Sequence, residues 1–187
     1  MLSNRVLLEN QQNIVVLDDD EDSLMFLKTV LKPFSECNVK YYDYPTAEFC
    51  KYVHENQIDL FVMDIRLGKF ENGIKLSEDI IYKKRGSLFL FISGYDYDKS
   101  DFNHLNGKCV YDFLQKPLDI EKFVIVVSTL LNIASTYKIS FKNTRIVPRE
   151  NDMDEIRKRY MKQIEEDRVL IQRLKDASLY PESVCQS

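Results

Sequence analysis

The stretch "NIVVLDDDED", Asn13 to Asp22, carries an apolar run straight into five consecutive acids: Asp18, Asp19, Asp20, Glu21 and Asp22. The apolar run reads as a buried strand, and the acids need two separate explanations. Asp20, Glu21 and Asp22 suit the start of a helix, where carboxylates cap free backbone N–H groups and favour the positive end of the dipole. Asp18 and Asp19 follow the strand directly, where adjacent carboxylates repel unless a cation or basic group sits between them.

Outward from this stretch the same rhythm recurs. "NIVVL" precedes "SLMFLKTVLKPF", "NVKYY" precedes "TAEFCKYVHEN", "IDLFVM" precedes "GIKLSEDIIYKK", "SLFLFIS" precedes "YDYDKSDFNHLNG", and "KCVYDFL" precedes "LDIEKFVIVVSTLLNIAS". Five strand-then-helix units predict an α/β fold, a parallel sheet covered by helices on both faces. The middle strands, "FVM" and "LFLFI", are apolar throughout, as burial on both sides requires. The fourth helix has the poorest apolar spacing and is crowded by Asp, Asn, Ser and Gly, so it is expected to be short or mobile.

The 187 residues suffice for one ordinary domain and an appendage. A net charge of −4 argues against a chain built to coat nucleic acid or an anionic membrane. The four cysteines, Cys37, Cys50, Cys109 and Cys185, are scattered and contain no C-x-x-C pair, so neither a zinc site nor a disulfide framework is indicated. The first residues, "MLSNRVLLENQQ", fall far short of a signal-peptide core or a membrane span, and a cytoplasmic protein is expected. His54 and His104 fit no histidine-phosphotransfer pattern.

The α/β domain is expected over 13–135, after an N-terminal extension at 1–12. The basic stretch "YKISFKNTRIVPRE" is read as a linker or short edge strand over 136–150, followed by a charged helix at 151–178 and a tail at 179–187. Within that helix Met153, Ile156, Tyr160, Gln163, Asp167, Leu170, Leu174 and Ala177 trace a seam at alternating spacings of three and four, the coiled-coil rhythm. A homodimer through this helix is expected, with folding back onto its own domain as the alternative.

In an open parallel sheet, ligands sit beyond the carboxyl ends of the strands, where strand order reverses. Asp18 and Asp19 close the first strand, Asp64 the third, Ser93 the fourth and Lys116 the fifth. With the five-stranded order 2-1-3-4-5, Asp64 falls beside the acidic pair. Three carboxylates make an oxygen-rich site that suits Mg²⁺ keeping some waters for a phosphoryl group. A carboxylate held opposite the metal, with a lysine and a hydroxyl nearby, can attack phosphorus and become an acyl phosphate. Catalysis then requires mainly positioning and charge neutralisation, which Mg²⁺ and Lys116 would supply.

On these residues the chain resembles the receiver domain of bacterial two-component response regulators (the CheY-like superfamily), with a C-terminal helical extension. "VVLDDDEDSL" is similar to the family's acidic motif, "DLFVMDIRLGKFENGIKL" to its phosphoacceptor motif, "FISG" to its hydroxyl motif and "YDFLQKPLD" to its lysine-proline motif. The resemblance implies a flavodoxin-like fold and a phosphorelay role. It implies that Asp64 is phosphorylated, that Asp18, Asp19, Asp64 and the backbone carbonyl of Arg66 hold Mg²⁺, and that Lys116 pairs with the phosphoryl group. Ser93 and Phe113 would form the switch, and the Lys116-Pro117 bond would be cis. The implied partner is a sensor histidine kinase or a histidine phosphotransfer protein. Any enzymatic activity would be at most self-phosphorylation from a phosphodonor and slow aspartyl-phosphate autohydrolysis.

The chain also departs from the pattern. Gly68 stands where the family usually has proline, and "GKFENG" is one residue longer before Gly73. Arg66 and Tyr95, each two residues past a site residue, are large enough to shield an acyl phosphate from water. A haloacid-dehalogenase-like phosphatase could use Asp18, Asp20, Ser93 and Lys116, but would leave Asp64 idle and lacks a later acidic pair. A phosphorylation-independent, receiver-like interaction module is the third reading, although no core residue is missing. The region after Ser135 is too short in helices for a DNA-binding module.

Overall fold

The alternating apolar runs become five parallel strands whose side chains divide between two cores. In the computed structural model, which describes residues 11–68, 71–84, 87–106, 108–142, 155, 158–166 and 169, these are β1 (Asn13–Leu17), β2 (Asn38–Tyr42), β3 (Leu60–Asp64), β4 (Leu88–Ser93) and β5 (Val110–Gln115). Their order in the sheet is 2-1-3-4-5, as the sequence predicts. The helices are α1 (Glu21–Val30), α2 (Ala47–Glu55), α3 (Gly73–Lys83) and α4 (Ile120–Lys142).

Period-two alternation sends Ile14, Val16, Leu60, Val62, Leu90 and Ile92 into one apolar cluster, with Leu27 of α1 and Phe123 and Val127 of α4. The intervening Val15, Leu17, Phe61, Met63, Phe89 and Phe91 enter the other, with Phe49 of α2 and Ile80 of α3. β3 and β4 are buried along their whole length, so their apolar runs need no polar face.

Caps fix the helix starts. Asp20 accepts the Ser23 N–H at 2.6 Å at the head of α1, and Thr46 accepts from Phe49 at 3.3 Å at the head of α2. The fourth covering segment, expected to be short, is a seven-residue 3-10 helix, Lys99–Leu105, opened by a reciprocal Asp98 and Asp101 capping box.

Two features differ from the sequence reading or add to it. First, α4 continues to Lys142, so the start of the stretch read as a linker is helical. No glycine or proline interrupts the backbone ladder between Ile120 and Lys142, and the apolar-polar alternation was an insufficient signal for extended chain. Second, residues 158–166 are helical. Tyr160 and Ile164 are buried in the same apolar cluster as Val110, Leu114 and Phe123. Of the expected seam, Tyr160 is thus seated on the chain's own domain and Gln163 is exposed. Met153, Ile156, Asp167, Leu170, Leu174 and Ala177 lie outside the described residues, as do 1–10, 143–154 and 170–187. Among the described residues no helix is long and apolar enough to cross a membrane.

Candidate functional site

β1 and β3 are adjacent, with Leu17 opposite Met63, so the residues that follow in each strand emerge side by side. One carboxylate oxygen from each of Asp18, Asp19 and Asp64 lies within 4.8 Å of the others. Asp18 has no exposed surface and Asp64 is buried, whereas Asp19 faces solvent.

The counter-charge arrives from β5. The backbone N–H of Lys116 donates to the Ser93 carbonyl at 2.7 Å, continuing the β4–β5 pairing one residue beyond the strands. The Lys116-Pro117 bond is cis. Lys116 Nζ then donates to Asp18 Oδ2 at 2.8 Å and to Asp64 Oδ2 at 2.7 Å. Burial raises the Asp18 pKa above the usual carboxylate value, with Asp64 adding to the rise, even though the Lys116 bond opposes it. Burial alone would lower the Lys116 pKa, but its bonds to the two carboxylates outweigh this and raise it.

Backbone amides hold one oxygen of each carboxylate. Asp20 N–H donates to Asp18 Oδ1 at 3.1 Å, Arg66 N–H to Asp64 Oδ1 at 2.9 Å, and Gly68 N–H to Asp19 Oδ2 at 2.8 Å. The last bond explains the departure from proline. Gly68 has φ +64° and donates its N–H, and proline can do neither. The longer loop is partly absorbed in a two-stranded antiparallel ribbon that pairs Arg66–Leu67 with Glu71–Asn72. Directly after it, the chain passes so close to β3 that a Cβ on Gly73 would lie 2.1 Å from the Asp64 carbonyl oxygen.

Ser93 is fully buried at the end of β4, and its Oγ accepts the Tyr95 N–H at 3.2 Å. The Arg66 guanidinium lies 3.9 Å from the Tyr95 ring centroid, so the two side chains singled out as a shield are in contact. Phe113 is half-buried on the opposite face of β5 from Val110 and Leu114.

One residue near the site was not foreseen. The Tyr97 ring packs edge-on against Phe113, with centroids 6.0 Å apart, and against Phe102 at 6.2 Å. Burial raises the Tyr97 pKa; Arg66 and the Ser93 side chain pull it back, and Asp64 and Asp101 push it further up. Tyr97 therefore packs on Phe113 while lying within electrostatic range of Arg66 and Asp64. The spacing Ser93, Tyr95, Tyr97 on a strand-end loop was the available signal.

Three clustered carboxylates, two of them bonded to one lysine, with a hydroxyl one strand away, fit a small hard cation. Asp18, Asp19 and Asp64 could hold Mg²⁺ in this pocket.

Residues 14–128 match the family model described as the response regulator receiver domain. Among solved structures, the chain is similar to the signal receiver domain of an HD domain-containing protein from Pseudomonas fluorescens Pf-5. That match has 17% identity and a TM-score of 0.59, and covers 68% of this chain and 99% of the other. It is similar to a CheY-like receiver domain protein from Methanospirillum hungatei JF-1, at 20% identity and TM-score 0.58, over 68% and 99% of the two chains. A two-component response regulator from Clostridium difficile aligns at 24% identity and TM-score 0.55, over 65% and 97%. No curated protein matches the chain.

Proposed function

From the premise that this chain belongs to the response regulator receiver domain family, we propose that it accepts a phosphoryl group on Asp64 and passes the signal on through a protein-interaction surface. The observation that carries this reading is the single ammonium, Lys116, bonded to both Asp18 and Asp64 at the mouth of the sheet. A carboxylate poised for phosphoryl transfer needs such a partner for the charge that arrives.

In the proposed step an Asp64 carboxylate oxygen attacks the phosphorus of an acyl or phosphoimidazole donor. The new O–P bond forms as the donor bond breaks, and the leaving group keeps the electron pair. Mg²⁺, held by Asp18, Asp19, Asp64 and the Arg66 carbonyl, would neutralise charge on the phosphoryl oxygens. Lys116 exchanges one carboxylate contact for a phosphoryl oxygen, and the Ser93 hydroxyl donates to another. Ser93 then no longer faces its resting neighbours, and Phe113 with Tyr97 repacks, shifting the population of the face made by the 3-10 helix, β5 and α4.

The proposed donor is a sensor histidine kinase or a histidine phosphotransfer protein, and the site works in the cytoplasm. The segment 13–135 acts as the receiver, and the chain that follows, which includes the helical residues 158–166, as its appendage. Intact-mass measurement after incubation with acetyl phosphate tests the proposal. One phosphoryl group should add to the wild type with Mg²⁺ and none to Asp64→Asn or to the wild type with excess chelator. Equal incorporation in Asp64→Asn sinks the assignment.

A further inference from the structure

The helical segment 158–166 presents one face to the receiver. Tyr160 has no exposed surface and Ile164, one turn later, is 2% exposed, whereas Met161, Lys162, Gln163, Glu165 and Glu166 are exposed. Both buried residues join the apolar cluster that contains Val110, Leu114 and Phe123. The Tyr160 hydroxyl donates to Asp112 Oδ2 at 2.6 Å. Asp112 lies on β5, the edge strand of the sheet, on the same face as Val110 and Leu114.

The position of that contact connects it to the site. Asp112 immediately precedes Phe113, and its other carboxylate oxygen, Oδ1, accepts the Phe113 N–H at 2.8 Å. One side chain therefore grips both the C-terminal segment and the backbone of the residue whose ring, on the opposite face, packs against Tyr97. The attachment is narrow: among the described residues of the segment, two side chains are buried, and an exposed ion pair, Lys162 with Glu166 at 3.6 Å, lies on its outer side. Segments with few buried apolar contacts open at much lower cost than a core strand.

We propose that 158–166 is an intramolecular latch, with Tyr160 and Ile164 as its seat and Asp112 as its catch, that covers the β5 edge and is released when the site changes state. The release step rests on the reading of Asp64 as phosphoacceptor. A change in the Phe113 backbone alters the geometry of the Asp112 carboxylate and weakens the Tyr160 bond. By reciprocity, weakening the latch favours the phosphorylated arrangement.

Hydrogen exchange on the full chain, read by mass spectrometry, tests both parts. Without phosphodonor, Tyr160→Phe should speed exchange in 158–166 by about two- to tenfold, the range expected for one lost hydrogen bond. Tyr160→Ala should speed it further, with β1 and β3 unchanged. With acetyl phosphate and Mg²⁺, exchange in the wild-type segment should rise with the fraction phosphorylated, and Tyr160→Ala should acquire phosphate faster. Exchange in 158–166 that is equal in wild type and Tyr160→Ala overturns the seat. Full phosphorylation with no change in the segment overturns the release. Absence of phosphate on Asp64 overturns the acceptor reading and the release step together, while the seat is still decided by the unphosphorylated variants.

Discussion

The ammonium of Lys116 lies 2.8 Å from Oδ2 of Asp18, a carboxylate with no exposed surface. Asp64 shares the same ammonium at 2.7 Å. Lys116→Met should therefore lower metal-free stability by roughly 3 kcal/mol, because a buried charge loses its partner. Mg²⁺ should recover more of the loss in the variant than it adds to the wild type, since binding to the folded state stabilises it. Thermal unfolding in chelator and in Mg²⁺ measures both; an unchanged midpoint in chelator contradicts the prediction.

Asp18→Asn should raise the metal-free unfolding temperature at neutral pH, since burial makes the charged form of Asp18 unfavourable. A carboxyl whose pKa rises on folding binds more protons folded than unfolded. Wild-type stability from this group therefore increases as pH falls from the raised value toward 3.8, the usual one. The variant has no such proton, so its advantage is largest above the raised pKa and fades as pH falls through it. An advantage that grows on acidification would reverse this account.

Gly73→Ala should destabilise the chain by about 1–3 kcal/mol, the usual range for overpacking, because its Cβ would meet the Asp64 backbone rather than a flexible side chain. Phosphate incorporation should fall even at temperatures where circular dichroism shows the variant folded. Wild-type incorporation in the folded variant argues against a role for this close approach in placing Asp64.

The Arg66 guanidinium rests on the Tyr95 ring, and these are the two side chains expected to shield an acyl phosphate on Asp64. Such an exposed contact is worth about 0.5–1 kcal/mol, so Arg66→Ala and Tyr95→Ala should each hasten loss of phosphate roughly two- to fivefold. The double variant should gain little more than either alone. Phosphate-release half-lives equal to wild type in both single variants exclude the shield.

Phosphorylation should shift backbone amides in the 3-10 helix Lys99–Leu105 and in β5, beyond the loop that holds Asp64. Tyr97→Ala, which removes the ring beside Phe113, should reduce the shifts in β5. Changes confined to residues next to Asp64 would show that Phe113 does not relay the signal.

Strand order and the acidic pocket were legible because each strand's apolar run gives way to charged or polar residues at its carboxyl end, and a parallel sheet brings those ends together. Asp18, Asp64 and Lys116 needed no more information than that. The Ser93, Tyr95, Tyr97 spacing marked Tyr97 only as a loop residue near the site; its contact with Phe113 was not legible, since it joins a loop to a strand through tertiary packing alone. The ribbon after Asp64 depended on the φ of Gly68, which sequence permits without requiring. Tyr160 was singled out as a seam residue, but a seven-residue repeat fits a twin helix and a sheet edge equally well. The burial of Ile164, outside that seam, distinguishes the seat observed here.

The backbone amides that grip the acidic pocket also bear on which ion it would choose. Asp18, Asp19 and Asp64 each have one oxygen committed to an N–H, and Asp18 and Asp64 give the other to Lys116. Chelation of an ion by both oxygens of any one carboxylate would thereby be discouraged, and each would donate through a single atom. Calcium prefers six to eight oxygens in a yielding shell and often takes carboxylates in bidentate fashion, whereas magnesium is satisfied by six at short range and keeps its waters. In the proposed magnesium site, selectivity against the larger ion would then rest on the peptide backbone around the pocket, set before any metal arrives.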